Sequence, residues 1–240
     1  MTYTSVGGTD VSTESQYQDW AKALSDDQLP TGWDRVRTTR NATLAKHGDA
    51  GLLFKEFKRG TPAERMLKPL RGGVVQRAIN NGNALKRAGF GAPEVVFQGA
   101  LPTGVEFLFT KPGPGSDLGD WLANHRSDTD FRRQMLEALG AYIGRLHGSG
   151  FVHGELHADS IYVIYTGEHF HFTLANNEQN RRLQPVPGKL MLKNLKQLAV
   201  LDRGAMGVTD RTRFFMAWRR QLPHLAEGEA RLLVREVIGD

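Results

Sequence analysis

Residues 146–163 read Leu146-His147-Gly148-Ser149-Gly150-Phe151-Val152-His153-Gly154-Glu155-Leu156-His157-Ala158-Asp159-Ser160-Ile161-Tyr162-Val163. This is a His-rich loop with one Glu and one Asp. It follows the longest helical pattern of the chain, Phe131 to Gly148, in which Met135, Leu136, Leu139, Ile143 and Leu146 recur at helical spacing. It opens a strand-and-loop patch over 151–176. A helical tail is expected from Lys193 to the end.

Working upstream, Lys111-Pro112-Gly113-Pro114-Gly115-Ser116 is the clearest linker. Two Pro and two Gly in six residues support neither a helix nor a central strand. Before it the texture is strand-like. Val36 to Thr39, Thr43 to Ala45, Gly51 to Phe57, Val95 to Gln98 and Val105 to Thr110 read as strands, with a hairpin turn at His47–Gly51. A helix start is read at Thr61-Pro62 and a second helix over Val74 to Ala88, stopped by Gly89. Residues 1–15, rich in Thr, Ser and Gly, read as a mobile tail, and a short helix fits within 16–30. The expected division is 1–30 tail and short helix, 31–111 a small β-rich lobe, and 112–240 a helical lobe.

Composition narrows the chemistry. With 240 residues, 40% of them hydrophobic, the chain is long enough for one larger domain or two small lobes. There is no Cys, so disulfides, thiol nucleophiles and Cys-held zinc are excluded. No apolar run approaches the roughly 20 residues of a bilayer span. The start lacks a basic n-region and an apolar h-region, so no secretory signal is read. The net charge of +5 fits either a basic solvated surface or an anionic partner.

A strand carrying Lys, then helices, then a linker, then a long helix and a His-rich loop is the order of a protein-kinase-like fold. The loop resembles the catalytic loop of kinase-fold phosphotransferases, and more closely the HGDLHxxNIL loop of the lipopolysaccharide kinase (Kdo/WaaP) family. Downstream, Phe172 to Arg181 is similar to that family's metal-binding strand and turn. Leu192 to Leu198 resembles its Lys-Asp-Leu helix, and Thr209 to Trp218 its Arg-Phe-Leu-x-Ala-Tyr helix. Upstream, Leu53-Phe54-Lys55-Glu56-Phe57 matches the strand with the nucleotide lysine, and Gly89-Phe90-Gly91-Ala92-Pro93 the Gly-x-x-x-Pro after helix C. The similarity runs over about residues 33–220. It implies an α+β, two-lobed protein-kinase-like fold with a small β-rich N-lobe and a helical C-lobe.

The resemblance also locates departures. Phosphoryl transfer needs a positioned hydroxyl, Mg²⁺ on the phosphates and cationic clamps. The loop Asp is Glu155 here, the Asn five residues on is Ser160, and the metal-binding Asp is Asn176. Glu155 lengthens its carboxylate by a methylene, and about 1 Å of misplacement costs on the order of 100-fold. Ser160 is a weaker metal ligand than an amide carbonyl, and Asn176 removes a full negative charge from beside a hard cation. Val74 to Pro93 contains no acid to match the helix-C Glu, and Glu64 lies upstream of that window. No Gly marks a phosphate loop over Thr38–Thr43.

Each candidate has a plain structural reading beside the functional one. Lys55 alone is an exposed strand lysine; with the loop it is the nucleotide lysine. His153 reads as a bracing residue rather than a metal ligand. His169 and His171 read as a solvated strand face rather than a zinc pair. Asp159 is the one loop Asp that could stand in for a lost metal ligand. Arg211, Arg213, Arg219 and Arg220 read as a solvated face unless an anionic partner covers them.

Three function classes follow: a pseudokinase with a binding or regulatory role tied to cell-envelope polysaccharide; an active ATP-dependent kinase on a lipopolysaccharide inner-core sugar (Kdo or heptose), with Glu155 as base; and a binder that uses only its basic surface. The loss of all three site positions favours the first. The resemblance implies weak ATP binding at Lys55 and argues against Mg²⁺ at Asn176 and Ser160. The partners it implies are a lipopolysaccharide core sugar or a protein, with an anionic membrane surface as an extension and no nucleic acid. The implied setting is a bacterial cytoplasm, up to the inner face of the cytoplasmic membrane.

Overall fold

The structure, a computed structural model, describes residues 11–39, 41–58, 72–199 and 206–238. The helix start at Thr61-Pro62, and Glu64 with it, lie outside these residues. The described chain forms two compact units. The first takes the residues up to Asn80 together with Pro93–Pro112, and the second takes Asn81–Ala92 and the residues from Gly113 on.

The first unit is built on five strands: β1 (Trp33–Thr38), β2 (Ala42–His47), β3 (Leu52–Phe57), β4 (Glu94–Ala100) and β5 (Glu106–Lys111). They form an antiparallel sheet in the order β1-β2-β3-β5-β4. Period-two alternation sorts the side chains of β3. Leu52 and Phe54 enter a core with Trp33, Phe97, Phe107 and Phe109, against Tyr17, Ala21 and Leu24 of α1 (Val11–Ser25). Tyr17 stacks on Phe97 with ring centroids 5.1 Å apart. Helix α1 therefore begins inside the stretch whose Ser/Thr/Gly texture reads as a tail. Its apolar positions are few but large, and burying an aromatic side chain contributes about 2–3 kcal/mol. On the opposite face Phe57 and Leu108 pack with Val75 and Ala78 of α2 (Val74–Arg87). Lys55 is paired across the ladder with Leu108 and Leu44, which sets it on this face.

In the second unit, α3 (Leu118–Asn124) is capped by Asp117, whose side chain accepts from the Asp120 N–H. It leads into α4 (Thr129–Gly148), capped in the same way by Asp128. Met135, Leu136, Leu139, Ile143 and Leu146 are all buried in one cluster with Trp218, Phe214 and Leu195. Helix α6 (Val208–Arg220) lies against α4. A Cβ at Gly140 would sit 2.3 Å from the Phe214 carbonyl oxygen, and one at Gly144 2.5 Å from that of Trp218. Two missing side chains one turn apart thus let the helix backbones meet. The buried Asp210 of α6 ties the pair, with Arg132 at 3.0 Å and Arg213 at 3.6 Å. Strands β6 (Ser116–Asp117), β8 (Ile161–Tyr165) and β9 (Phe170–Leu174) form a small sheet. Strand β7 (Phe151–Val152) pairs with β10 (Arg181–Arg182). Helix α5 (Gly188–Ala199) starts five residues before the expected Lys193, and α7 (Glu227–Ile238) closes the described chain. Among the described residues no helix is long and apolar enough to cross a membrane.

Candidate functional site

The loop between β7 and β8 is held from below by a buried carboxamide. Asn194, on α5, is fully buried. Its Oδ1 accepts from the His153 N–H at 3.1 Å, and its Nδ2 donates to the His153 carbonyl at 2.7 Å. A carboxamide can close both bonds to one residue because it carries a donor and an acceptor side by side. Its Nδ2 also reaches Gln197 Oε1 at 3.2 Å, and that oxygen accepts from the Leu156 N–H at 3.1 Å. Asn194 and Gln197, three apart on one helix face, thus grip both sides of Gly154-Glu155.

Two histidines complete this brace. The Trp218 indole N–H donates to His147 Nδ1 at 2.9 Å, so the ring proton sits on Nε2, which donates to Asn194 Oδ1 at 3.2 Å. Burial pushes the His147 pKa down to about 4, partly offset by its bond to Asn194, and keeps the ring neutral. His153 is 1% exposed. Its Nε2 donates to the Ala175 carbonyl at 2.8 Å, and its Nδ1 accepts from the Glu155 N–H at 3.2 Å. The bracing role read for His153 is what these bonds describe.

The segment after β9 is laid on the loop. Asn176 takes a left-handed conformation, φ 58° and ψ 48°, which Asn tolerates better than most residues. Its Nδ2 donates to Ser160 Oγ at 2.8 Å, and that hydroxyl donates to Asp159 Oδ1 at 3.2 Å. The Ala175 N–H bonds the Ser160 carbonyl at 2.8 Å. Asn180 Oδ1 accepts from the Gly154 N–H at 3.0 Å, and its Nδ2 donates to Asn177 Oδ1 at 2.7 Å. Asn81 donates to the Asn177 carbonyl at 2.7 Å. Gly154 is pressed so closely to this turn that an added Cβ would lie 2.3 Å from Gln179 Cβ.

The structure therefore brings Ser160, Asn176 and Asp159 into one hydrogen-bonded chain. It sets the half-buried Glu155 against Gln179, whose Nε2 donates to Oε1 at 3.3 Å. Lys55 belongs to the first unit, where its ammonium lies 5.1 Å from the Phe57 ring centroid. His171 is exposed and bonds Thr166 at 3.2 Å, and His169 is exposed too. Among the described residues no three His, Asp or Glu side chains gather as a metal-ligand group. Of the four arginines on α6, Arg213 is held by Asp210, and Arg219 donates to the Leu222 and Leu225 carbonyls past the helix end. The residues missed from sequence are neutral: Asn81, Gln179, Asn180, Asn194 and Gln197. Asn194 and Gln197 lie in Leu192–Leu198 and Gln179 and Asn180 in Phe172–Arg181, both stretches that carry the family resemblance, whereas Asn81 has no such signal.

The sequence pattern described as "Lipopolysaccharide kinase (Kdo/WaaP) family" matches residues 37–216. No curated protein matches. Among solved structures, that of the bifunctional kinase-methyltransferase WbdD aligns with a TM-score of 0.50 at 16% identity, over 83% of this chain and 48% of that one. Another crystal structure of WbdD aligns with a TM-score of 0.51 at 15% identity, over 86% and 50%. At such identity the likeness is one of fold, and the chain spans about half the length of these structures. The fold is kinase-like, with the β-sheet unit first and the helices after it.

Proposed function

The chain belongs to the lipopolysaccharide kinase (Kdo/WaaP) family, and from that premise we propose that it is a kinase-fold binding or regulatory module of cell-envelope polysaccharide synthesis that has lost phosphotransfer. The family's loop Asp, metal Asn and metal Asp fall at Glu155, Ser160 and Asn176. The observation that carries the reading is the 2.8 Å bond from Asn176 Nδ2 to Ser160 Oγ. The two positions meant to hold a metal satisfy each other, and Asn176 turns a donor toward the hydroxyl. A hard divalent cation needs oxygen acceptors, preferably charged, and of the three hydrogen-bonded side chains Ser160, Asn176 and Asp159 only Asp159 carries a charge. The pairing of Ser160 with Asn176 thus argues against Mg²⁺ at these two positions.

Lys55 keeps a cation for a nucleotide phosphate, as a point charge that needs no metal. Nucleotide binding is accordingly weak and indifferent to Mg²⁺. Glu155 supports the competing reading of an active sugar kinase, because its carboxylate is half-buried and accepts from the neutral Gln179 amide. Calorimetric titration of the protein with ATP, with and without Mg²⁺, separates them. Weak binding unchanged by Mg²⁺ is expected. Tight binding that depends on Mg²⁺ overturns the proposal and points to Asp159 as a replacement ligand.

A further inference from the structure

The helix that grips the loop is gripped in its turn. Helix α5 reaches the loop through Lys193, Asn194 and Gln197. Lys193 Nζ donates to the Gly154 carbonyl at 3.3 Å, and the two carboxamides accept from the His153 and Leu156 N–H groups. Along another side α5 meets α7, which lies beyond residue 216, where the family match ends. Two contacts of carboxylates fix the register of this pair. A Cβ at Gly188, the first residue of α5, would collide with Glu229 Oε1, so that carboxylate stands at the N-terminal end of α5, where negative charge is stabilising. Further along, Lys196 Nζ donates to Glu236 Oε2 at 2.6 Å. The contacts advance in the same direction on both helices, so the two run parallel. Leu233 and Val237 of α7 are buried in the cluster that holds Leu195 and Leu198 of α5, and Leu195 is the neighbour of Asn194 in sequence.

Helix α7 has 12 residues, too few to stand alone in water, so its order comes from its packing. It packs through one face only: Ala230, Leu233 and Val237 are buried, whereas Arg231, Leu232 and Arg235 are exposed. An element held on one side opens at a lower free energy than the core of its domain. We infer that α7 is a strap on α5 whose docking governs the order of the loop at Gly154-Glu155. With α7 in place, Asn194 and Gln197 are held against the loop; when α7 lifts, α5 loosens and the two carboxamides release His153 and Leu156. The coupling runs through a single helix, from Glu229 and Glu236 to Gly188 and Lys196 and on to Asn194 and Gln197. It does not depend on whether the chain transfers phosphate. Glu229 and Glu236 are both exposed, so salt weakens the strap.

The test is amide hydrogen exchange of the full chain, read residue by residue by NMR, in wild type and in the double variant Glu229→Ala, Glu236→Ala. Neither substitution touches the loop or the buried cluster. The amides of α7 are expected to exchange about fivefold faster in the variant, and those of His153 and Leu156 with them. Phe54 and Phe109, paired in the sheet of the first unit, should keep their rates. Raising the salt to about 1 M NaCl should move wild type toward the variant and leave the variant where it is. Leu233→Ala, which opens a cavity under α7, should enlarge the effect at the same amides. Were it to speed Phe54 and Phe109 equally, it would report global unfolding, and the double variant alone decides. Faster exchange in α7 with His153 and Leu156 at wild-type rates overturns the strap, because the loop then ignores α7. Unchanged rates in α7 overturn it too, because the two carboxylates then hold nothing.

Discussion

Replacing Asn194 by Ala removes the brace under the loop while leaving the helix that carries it intact. Three buried groups then lose their partner: the His153 N–H, the His153 carbonyl and the His147 Nε2–H. Each buried polar group left alone costs about 1–3 kcal/mol, and a water entering the space re-satisfies part of the set, so a loss of about 3–4 kcal/mol is expected. Asn194→Asp is the sharper variant. It keeps the acceptor for His153 and His147 but sets a second acceptor against the His153 carbonyl, now 2.7 Å from Nδ2. The introduced carboxyl is driven toward its protonated form, so its folded pKa rises above the unfolded value of about 3.9. A raised acid pKa leaves stability nearly intact below about pH 4 and erodes it as pH rises toward the folded value. Urea unfolding of the three proteins at pH 4.5 and pH 7, followed by circular dichroism, reads both effects. A loss under about 1 kcal/mol for Asn194→Ala, or a pH-independent loss for Asn194→Asp, would refute the assignment of Asn194 as the loop's anchor.

The neutral His147 makes the wild type itself pH-sensitive. Its folded pKa of about 4 lies below the unfolded value of 6.5, so its share of stability is complete above pH 6.5 and is lost as pH falls toward 4. A shift of that size corresponds to about 3 kcal/mol, seen as a drop in urea midpoint across that window. His147→Gln, which can still accept from Trp218 and donate to Asn194, should show a flatter profile. Gly154→Ala would press a Cβ to within 2.3 Å of Gln179 Cβ. It should destabilise the protein by about 1–3 kcal/mol and broaden the amide signals of residues 176–182, whereas a silent substitution there would deny the close contact.

Elements with a strong periodic signal were legible. The strand around Lys55 alternates between two cores, and the helix with Met135, Leu139, Ile143 and Leu146 turns one stripe inward. The start of α1 was not legible, because its burial comes from Tyr17, Ala21 and Leu24 meeting a sheet face that only the tertiary fold provides. Two-residue strands such as β7 and β10 carry no pattern of their own and exist through their pairing. The departures read at Glu155, Ser160 and Asn176 rest on the family's spacing. What fills their place is not legible there. Asn81 and Asn177 meet across 96 positions of chain, and carboxamides leave no mark in hydrophobic periodicity or charge.

Transfer of radiolabelled phosphate from ATP to isolated lipopolysaccharide core oligosaccharide tests the proposed loss of phosphotransfer. Wild type is compared with Asn176→Asp, with Glu155→Asp, with the triple change Glu155→Asp, Ser160→Asn, Asn176→Asp, and with Lys55→Ala. Residues that act as a unit are strongly non-additive, so each single restoration should stay inactive and only the triple change should show any transfer. Wild type should transfer no more label than Lys55→Ala. Clear wild-type transfer that disappears in Lys55→Ala would overturn the proposed loss and make Glu155 a working base.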